Sequence, residues 1–281
     1  MSNMELPAIT SGQDMNAFRH ASLSTAISLS LAACGGGDSG STSSGSSGTS
    51  GGNTPAPAGT AEGVYAGTST GGTGSNFEAV VLENGDIWSL YGQNSGSTFY
   101  VYGFIQGTGT SNNGTFTANS IKDFGSIPAL AGSLSGTYST AAKTFNGTVS
   151  YTNGVRASFS GGPITGATYD YNAAPSLSAV TGRWTLTSLQ GEGVSLNVSS
   201  NGTFTLQGTS GCTGSGTLSA RNSGKNIFNI SIAFGGLPCA LPNQTATGIA
   251  INYALSTGQT QLIAAVTDSA HTVGTAVFGI R

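Results

Sequence analysis

The sequence predicts an all-β protein built as two tandem antiparallel domains, each a small up-and-down barrel or barrel-like sheet, with a β-sandwich as the alternative. Three observations carry this. Glycine occupies 45 of 281 positions, which leaves little room for long helices. Hydrophobic residues still make up 37% and charged residues only 7%, so a core must be assembled from short segments between turns. Beyond Pro57 those segments alternate with period two and are separated by Asn-Gly and Gly/Thr punctuation, the pattern of half-buried strands.

The N-terminal region reads as an address. Residues 21–33 (ASLSTAISLSLAA) form an apolar run of signal-peptide length after Arg19 and end in small residues. Glu5 and Asp14 precede the first basic residue, so Met15 is expected to be the start of the signal peptide. The run closes on Leu31-Ala32-Ala33-Cys34 and is followed by GGGDSGSTSSGSSGTSGG. In this the chain resembles the bacterial lipoproteins, in which this box is cut before the cysteine and a diacylglycerol is attached to it. The resemblance implies lipidation of Cys34 and, with Gly35 rather than Asp in the next position, residence in the outer membrane. That covalent lipid is the only cofactor expected. Residues 1–33 are thus assigned to leader and signal peptide. Residues 34–58 are a flexible tether with a reach of about 25–30 Å.

Two β-domains are expected behind the tether, 59–175 and 176–281, divided at the linker-like Asn172-Ala173-Ala174-Pro175-Ser176. The first opens on Gly63-Val64-Tyr65 and continues into a hairpin, Asn76 to Glu83 and Asp86 to Tyr91, joined by Asn84-Gly85, which supplies positive φ at both turn positions. The second opens on Gly182-Arg183-Trp184, and Val194, Leu196 and Val198 return through Asn201-Gly202 to Phe204 and Leu206. The matching openings suggest a duplication, to which Gly136-Thr137-Tyr138-Ser139 and Gly216-Thr217-Leu218-Ser219 add a second rhyme. Phe228, Ile230, Ile232 and Phe234 share one strand face, as do Ile249, Ile251, Tyr253 and Leu255.

Charge excludes some functions. A net charge of −3 with eight Lys and Arg spread singly offers no field for phosphates, so nucleic acid is not a partner. Cys212 and Cys239, the pair left once Cys34 is lipidated, read as a disulfide in an exported protein. Their surroundings, Gly182-x-Trp184-x-Leu186 and Gly208-Thr209-Ser210-Gly211-Cys212, resemble the META-type domain of bacterial envelope proteins, with Thr213 where that family has Asn. The resemblance implies a small curved antiparallel sheet and no carried-over chemistry.

Catalytic candidates are thin. Gly67-Thr68-Ser69-Thr70-Gly71 matches a nucleophile elbow in letters, but no helical pattern follows it. His271 lies in a turn after Asp268 and reads as an exposed residue. Glu78, Glu83 and Asp86 flank one hairpin and read as solvated charges guarding an edge. No catalytic residue and no metal site is assigned. Aromatics crowd between Trp88 and Phe104, where they read either as core filling or in part as a binding surface formed by Trp88, Tyr91, Tyr100 and Tyr102. The expected function is that of a non-catalytic, lipid-anchored outer-membrane protein presenting two β-domains to an envelope or extracellular ligand. The alternative is an envelope hydrolase acting on glycan or peptide.

Overall fold

The computed structural model describes residues 59–281. The expected signal peptide, the box Leu31-Ala32-Ala33-Cys34 and the expected tether lie outside the described residues. The first half folds as β1 (Gly63–Thr70), β2 (Asn76–Val81), β3 (Asp86–Ser95), β4 (Thr98–Thr108), β5 (Thr110–Asn112), β6 (Thr115–Asp123), β7 (Leu130–Ser139), β8 (Thr144–Tyr151) and β9 (Arg156–Gly162). Every pairing is antiparallel. The sheet closes through β1–β9 and β4–β6, giving eight strands in sequence order with the short β5 left as an arm on β6. This is an up-and-down barrel, the closure that removes exposed strand edges.

A crossing segment holds β10 (Ala167–Thr168) and α1 (Leu177–Val180). The second half then runs β11 (Gly182–Ser188), β12 (Gly193–Val198), β13 (Thr203–Gly208), β14 (Thr213–Ala220), β15 (Phe228–Phe234), β16 (Thr245–Leu255), β17 (Thr260–Thr267) and β18 (Gly274–Ile280). It closes through β11–β18 as a second eight-stranded barrel, with β10 added on β16.

The two Asn-Gly hairpins are built alike, but not by the expected turn. Gly85 and Gly202 have positive φ, whereas Asn84 and Asn201 do not. Gly85 N–H donates to Leu82 O and Leu82 N–H to Asp86 O, and Gly202, Ser199 and Thr203 repeat the pair. Each loop therefore has three residues and only its glycine is left-handed, the G1-bulge form of hairpin.

The matching openings of the two halves are structural equivalents. Tyr65 and Trp184 occupy the third position of β1 and β11, and both donate back to the carbonyl four residues earlier: Tyr65 Oη to Ala61 O at 2.9 Å, Trp184 Nε1 to Val180 O at 2.7 Å. In each barrel the segment before the first strand plugs one end, with Ala61 and Val180 fully buried. Arg281 stacks on Trp184, 4.0 Å from the ring centre, and donates to the carbonyls of Ala179 and Thr181, tying the last strand to the plug. The second rhyme fails. It sets β7, sixth strand of its barrel, against β14, the fourth of the other.

Three apolar cores result. One fills the first barrel around Tyr65, Phe116, Phe145 and Leu134, and one fills the second around Trp184, Phe204, Phe228 and Leu262. The third lies between the barrels, where the outer faces of β2–β4 (Val80, Trp88, Leu90, Phe99, Val101, Phe104) meet those of β16–β18 (Ile249, Ile251, Tyr253, Ile263, Phe278). Strands at this junction are buried on both faces, so β17 is apolar almost throughout. The junction is also pinned by polar groups. Gln261, fully buried, accepts from Phe99 N at 3.2 Å and donates to Phe99 O at 2.8 Å. Glu78, expected among the solvated edge charges, is instead buried there, with the Tyr253 hydroxyl 2.8 and 2.9 Å from its two oxygens. Glu83 pairs with Arg221 at 2.9 Å across the same junction.

Candidate functional site

The first barrel is not filled to its open end. The end opposite the Ala61 plug encloses a cavity of about 350 Å³, walled by Phe77, Ala79, Ile87, Ile105, Leu134 and Phe159 and rimmed by the β1–β2, β6–β7 and β8–β9 connections. Small residues on inward positions, Ala79, Ser89 and Ala157, leave the space that larger side chains close lower in the barrel. In the second barrel the enclosed remainder is only about 50 Å³, because Leu196, Phe204, Leu218, Ile230 and Ile232 meet across it. A larger cleft of about 660 Å³ lies between the β6–β7 connection and the mouth of the second barrel. Its one carboxylate, Glu192, is already taken by the Ser210 N–H and hydroxyl at 2.7 and 2.6 Å. We therefore place the candidate site in the first barrel.

Its polar end is Asp123, the last residue of β6, which is 7% exposed. Tyr91 Oη donates to Oδ1 at 2.7 Å, Tyr151 Oη to Oδ2 at 2.7 Å, and Gly125 N–H to Oδ1 at 2.8 Å. Burial raises both tyrosine hydroxyls above their ordinary range, and the neighbouring Asp123 charge raises them further, so both stay protonated as donors. Tyr91 reaches Asp123 because two glycines let its ring pass. A Cβ on Gly103 would stand 2.2 Å from the Tyr91 oxygen, and one on Gly125 would stand 1.8 Å from it. The bulge in the β3–β4 pairing after Tyr91 falls at the same place.

The four aromatics proposed as one surface are thus separated. Trp88 is a correction: it is buried in the junction core, stacked at 5.9 Å on Phe104, which stacks at 4.8 Å on Phe124. Its position in β3 points it at the second barrel, whereas Tyr91, three residues on, points into the first. Tyr100 and Tyr102 are each 45% exposed on β4, with the Tyr102 hydroxyl donating to Gln93 Oε1 at 3.1 Å. Sequence reasoning missed Asp123. Its one signal was an acidic residue at the end of an alternating strand, next to Lys122.

The remaining candidates fall elsewhere. Ser69 is the penultimate residue of β1, its hydroxyl donates to Gly74 O at 3.1 Å, and a strand rather than a helix follows the turn. His271 is exposed in the β17–β18 turn, with Nδ1 3.0 Å from the Thr267 hydroxyl. Asp268 spends its carboxylate on Thr272 and Val273. Burial works against its charge, but the Val273 N–H and the Thr272 hydroxyl and N–H outweigh this and hold its pKa below the ordinary value. Cys212 and Cys239 form a disulfide with their α-carbons 4.6 Å apart, closing the β13–β14 turn onto the β15–β16 connection. Among the described residues no three His, Cys, Asp or Glu side chains converge as metal ligands, and no helix is long and apolar enough to cross a membrane.

No family model and no curated protein matches the chain. Among solved structures it is similar to the crystal structure of isotype 1 transferrin binding protein B from serogroup B Neisseria meningitidis. That likeness has 11% identity and a TM-score of 0.27, and covers 74% of this chain and 66% of the other, just under two thirds of its length. A likeness at this level bears on neither ligand nor partner.

Proposed function

We propose that this chain is a lipid-anchored protein of the bacterial outer membrane that holds a small, largely apolar ligand inside its first barrel without transforming it. The observation that carries the reading is the cavity. A space of about 350 Å³ falls within the range of small-molecule sites, and its walls combine apolar area with one convergent polar group. Four of the hydroxyls around it are engaged as donors, Tyr91 and Tyr151 to Asp123, Ser69 and Ser126 to backbone carbonyls. Such groups orient a ligand and hold no proton in transit. The anchor rests on the box ending at Cys34 and on the Gly/Ser tether, which would carry the barrels clear of the lipid surface.

The test is binding of the neutral dye N-phenylnaphthylamine, whose fluorescence rises in an apolar cavity. The wild type is expected to bind it, and Ala157→Phe, which fills the cavity wall, to bind it at least about tenfold more weakly with an unchanged circular dichroism spectrum. Equal binding by both proteins, or none by the wild type, would refute the reading. For the anchor, Cys34→Ala should move the protein from the membrane to the soluble fraction and abolish fatty-acid labelling.

A further inference from the structure

The chemistry at the polar end of the cavity says more about what it accepts. Asp123 is the one formally charged side chain in the cavity wall, and among the described residues no cation pairs with it. The ion pairs among the described residues are Glu83–Arg221 and Glu62–Lys225, both outside this cavity. Lys122 precedes Asp123 in the strand and so projects to the other side of the sheet. The three donors that meet Asp123 are two phenols and one backbone N–H, all neutral. They fix the carboxylate in place and leave its charge standing.

A carboxylate without a counter-ion at the end of an apolar cavity is half of an ion pair. Because Tyr91 and Tyr151 use their protons on Asp123, what they turn toward the cavity is oxygen lone pairs and ring faces. Phe77 and Phe159 add two further rings to the wall, 5.4 Å apart. Acceptors, aromatic faces and a net negative charge together select a cation with N–H or N–CH groups, since aromatic faces attract ammonium ions and a fixed carboxylate repels anions. The geometry points to an organic ammonium as the ligand: an amine carrying a compact apolar body, with its nitrogen seated against Asp123. This rests on the cavity being the binding site, and names the class of molecule it takes.

Three probes with one skeleton test it: phenylbutylamine, phenylbutanol and phenylbutanoate, each titrated calorimetrically into the wild type near neutral pH. Affinity should fall from amine to alcohol to carboxylate, with the amine ahead of the alcohol by about tenfold or more. In Asp123→Asn the amine should lose that lead while the alcohol binds within about threefold of its wild-type affinity. The ranking in the wild type needs no variant and stands whether or not Asp123→Asn folds. A carboxylate that binds as well as the amine, or an amine whose lead survives Asp123→Asn, overturns the ammonium assignment. The neutral dye separates the two failures. If the dye and the alcohol bind but the amine has no lead, the cavity is a site and the ligand class is wrong; if neither dye nor probe binds, both readings fall.

Discussion

Glu78 makes the junction between the barrels sensitive to pH in a direction that can be worked out beforehand. Burial pushes its carboxyl up from 4.5 to about 7, and the Tyr253 hydroxyl, which favours the charged form, offsets only part of this. The folded-state value lies above the unfolded one, so between the two the unfolded chain has given up the proton that the folded chain still holds. Glu78's contribution to stability is then fully present below pH 4.5 and lost as pH rises through about 7. At about 1.4 kcal/mol per pH unit, that interval corresponds to about 3–4 kcal/mol in full. Glu78→Gln keeps an oxygen for Tyr253 and removes the ionisation. Urea unfolding of the disulfide-intact protein at pH 5 and pH 8 should show wild-type stability falling relative to the variant by about 2–3 kcal/mol, since at pH 5 the unfolded carboxyl is already largely ionised. A wild-type-to-variant difference that is the same at both pH values would refute the reasoning, since it would mean that Glu78 ionises in the junction as freely as in the unfolded chain.

Three further outcomes are expected. Replacing both Cys212 and Cys239 by Ser, which frees a loop with a sequence separation of 27, should cost about 3–4 kcal/mol in urea unfolding, and reductant should lower the wild-type Tm in the same direction. Trp88→Ala should destabilise by about 3–5 kcal/mol and make the segment 163–181 between the barrels sensitive to limited proteolysis, because the Trp88–Phe104–Phe124 stack that fills the junction is opened. His271→Ala should stay within about 0.5 kcal/mol of wild type by thermal unfolding, since the side chain is exposed and its one bond is to Thr267.

Much of the barrel architecture was legible because closure follows from local grammar. Short alternating strands, three-residue glycine loops and in-order neighbours leave an up-and-down circuit as the solution without edges. The Gly-x-aromatic opening of each half was legible too, and the backward hydrogen bonds of Tyr65 and Trp184 give its reason: one aromatic at the third position both fills the barrel end and holds the plug. The turn type was not legible. Asn-Gly is compatible with a two-residue loop, and the chain uses that form at Asn113-Gly114, where both residues have positive φ, but at Asn84-Gly85 the pairing of Leu82 with Asp86 adds a residue. Which form is adopted depends on strand register, and register is fixed by packing on both faces rather than by the dipeptide.

The junction explains the rest of what the sequence concealed. A strand covered on one face alternates, and one covered on both does not, so Leu262-Ile263-Ala264-Ala265-Val266 and Ala79-Val80-Val81-Leu82 were the places where the pattern announced a second neighbour. Read as isolated half-buried strands, Ile249, Ile251, Tyr253 and Leu255 would face their own barrel. In fact they face the other one, and the inward positions of β16 carry Ala246 and Ala250. The same inversion hid the site. Aromatic crowding drew attention to Trp88, Tyr100 and Tyr102, yet the one charged side chain in the cavity wall is a single aspartate, and what makes the cavity a candidate site is that Ala79, Ser89 and Ala157 are small enough to leave room in front of it. A cavity is made by what is missing from several strands at once, and no stretch of one strand records that.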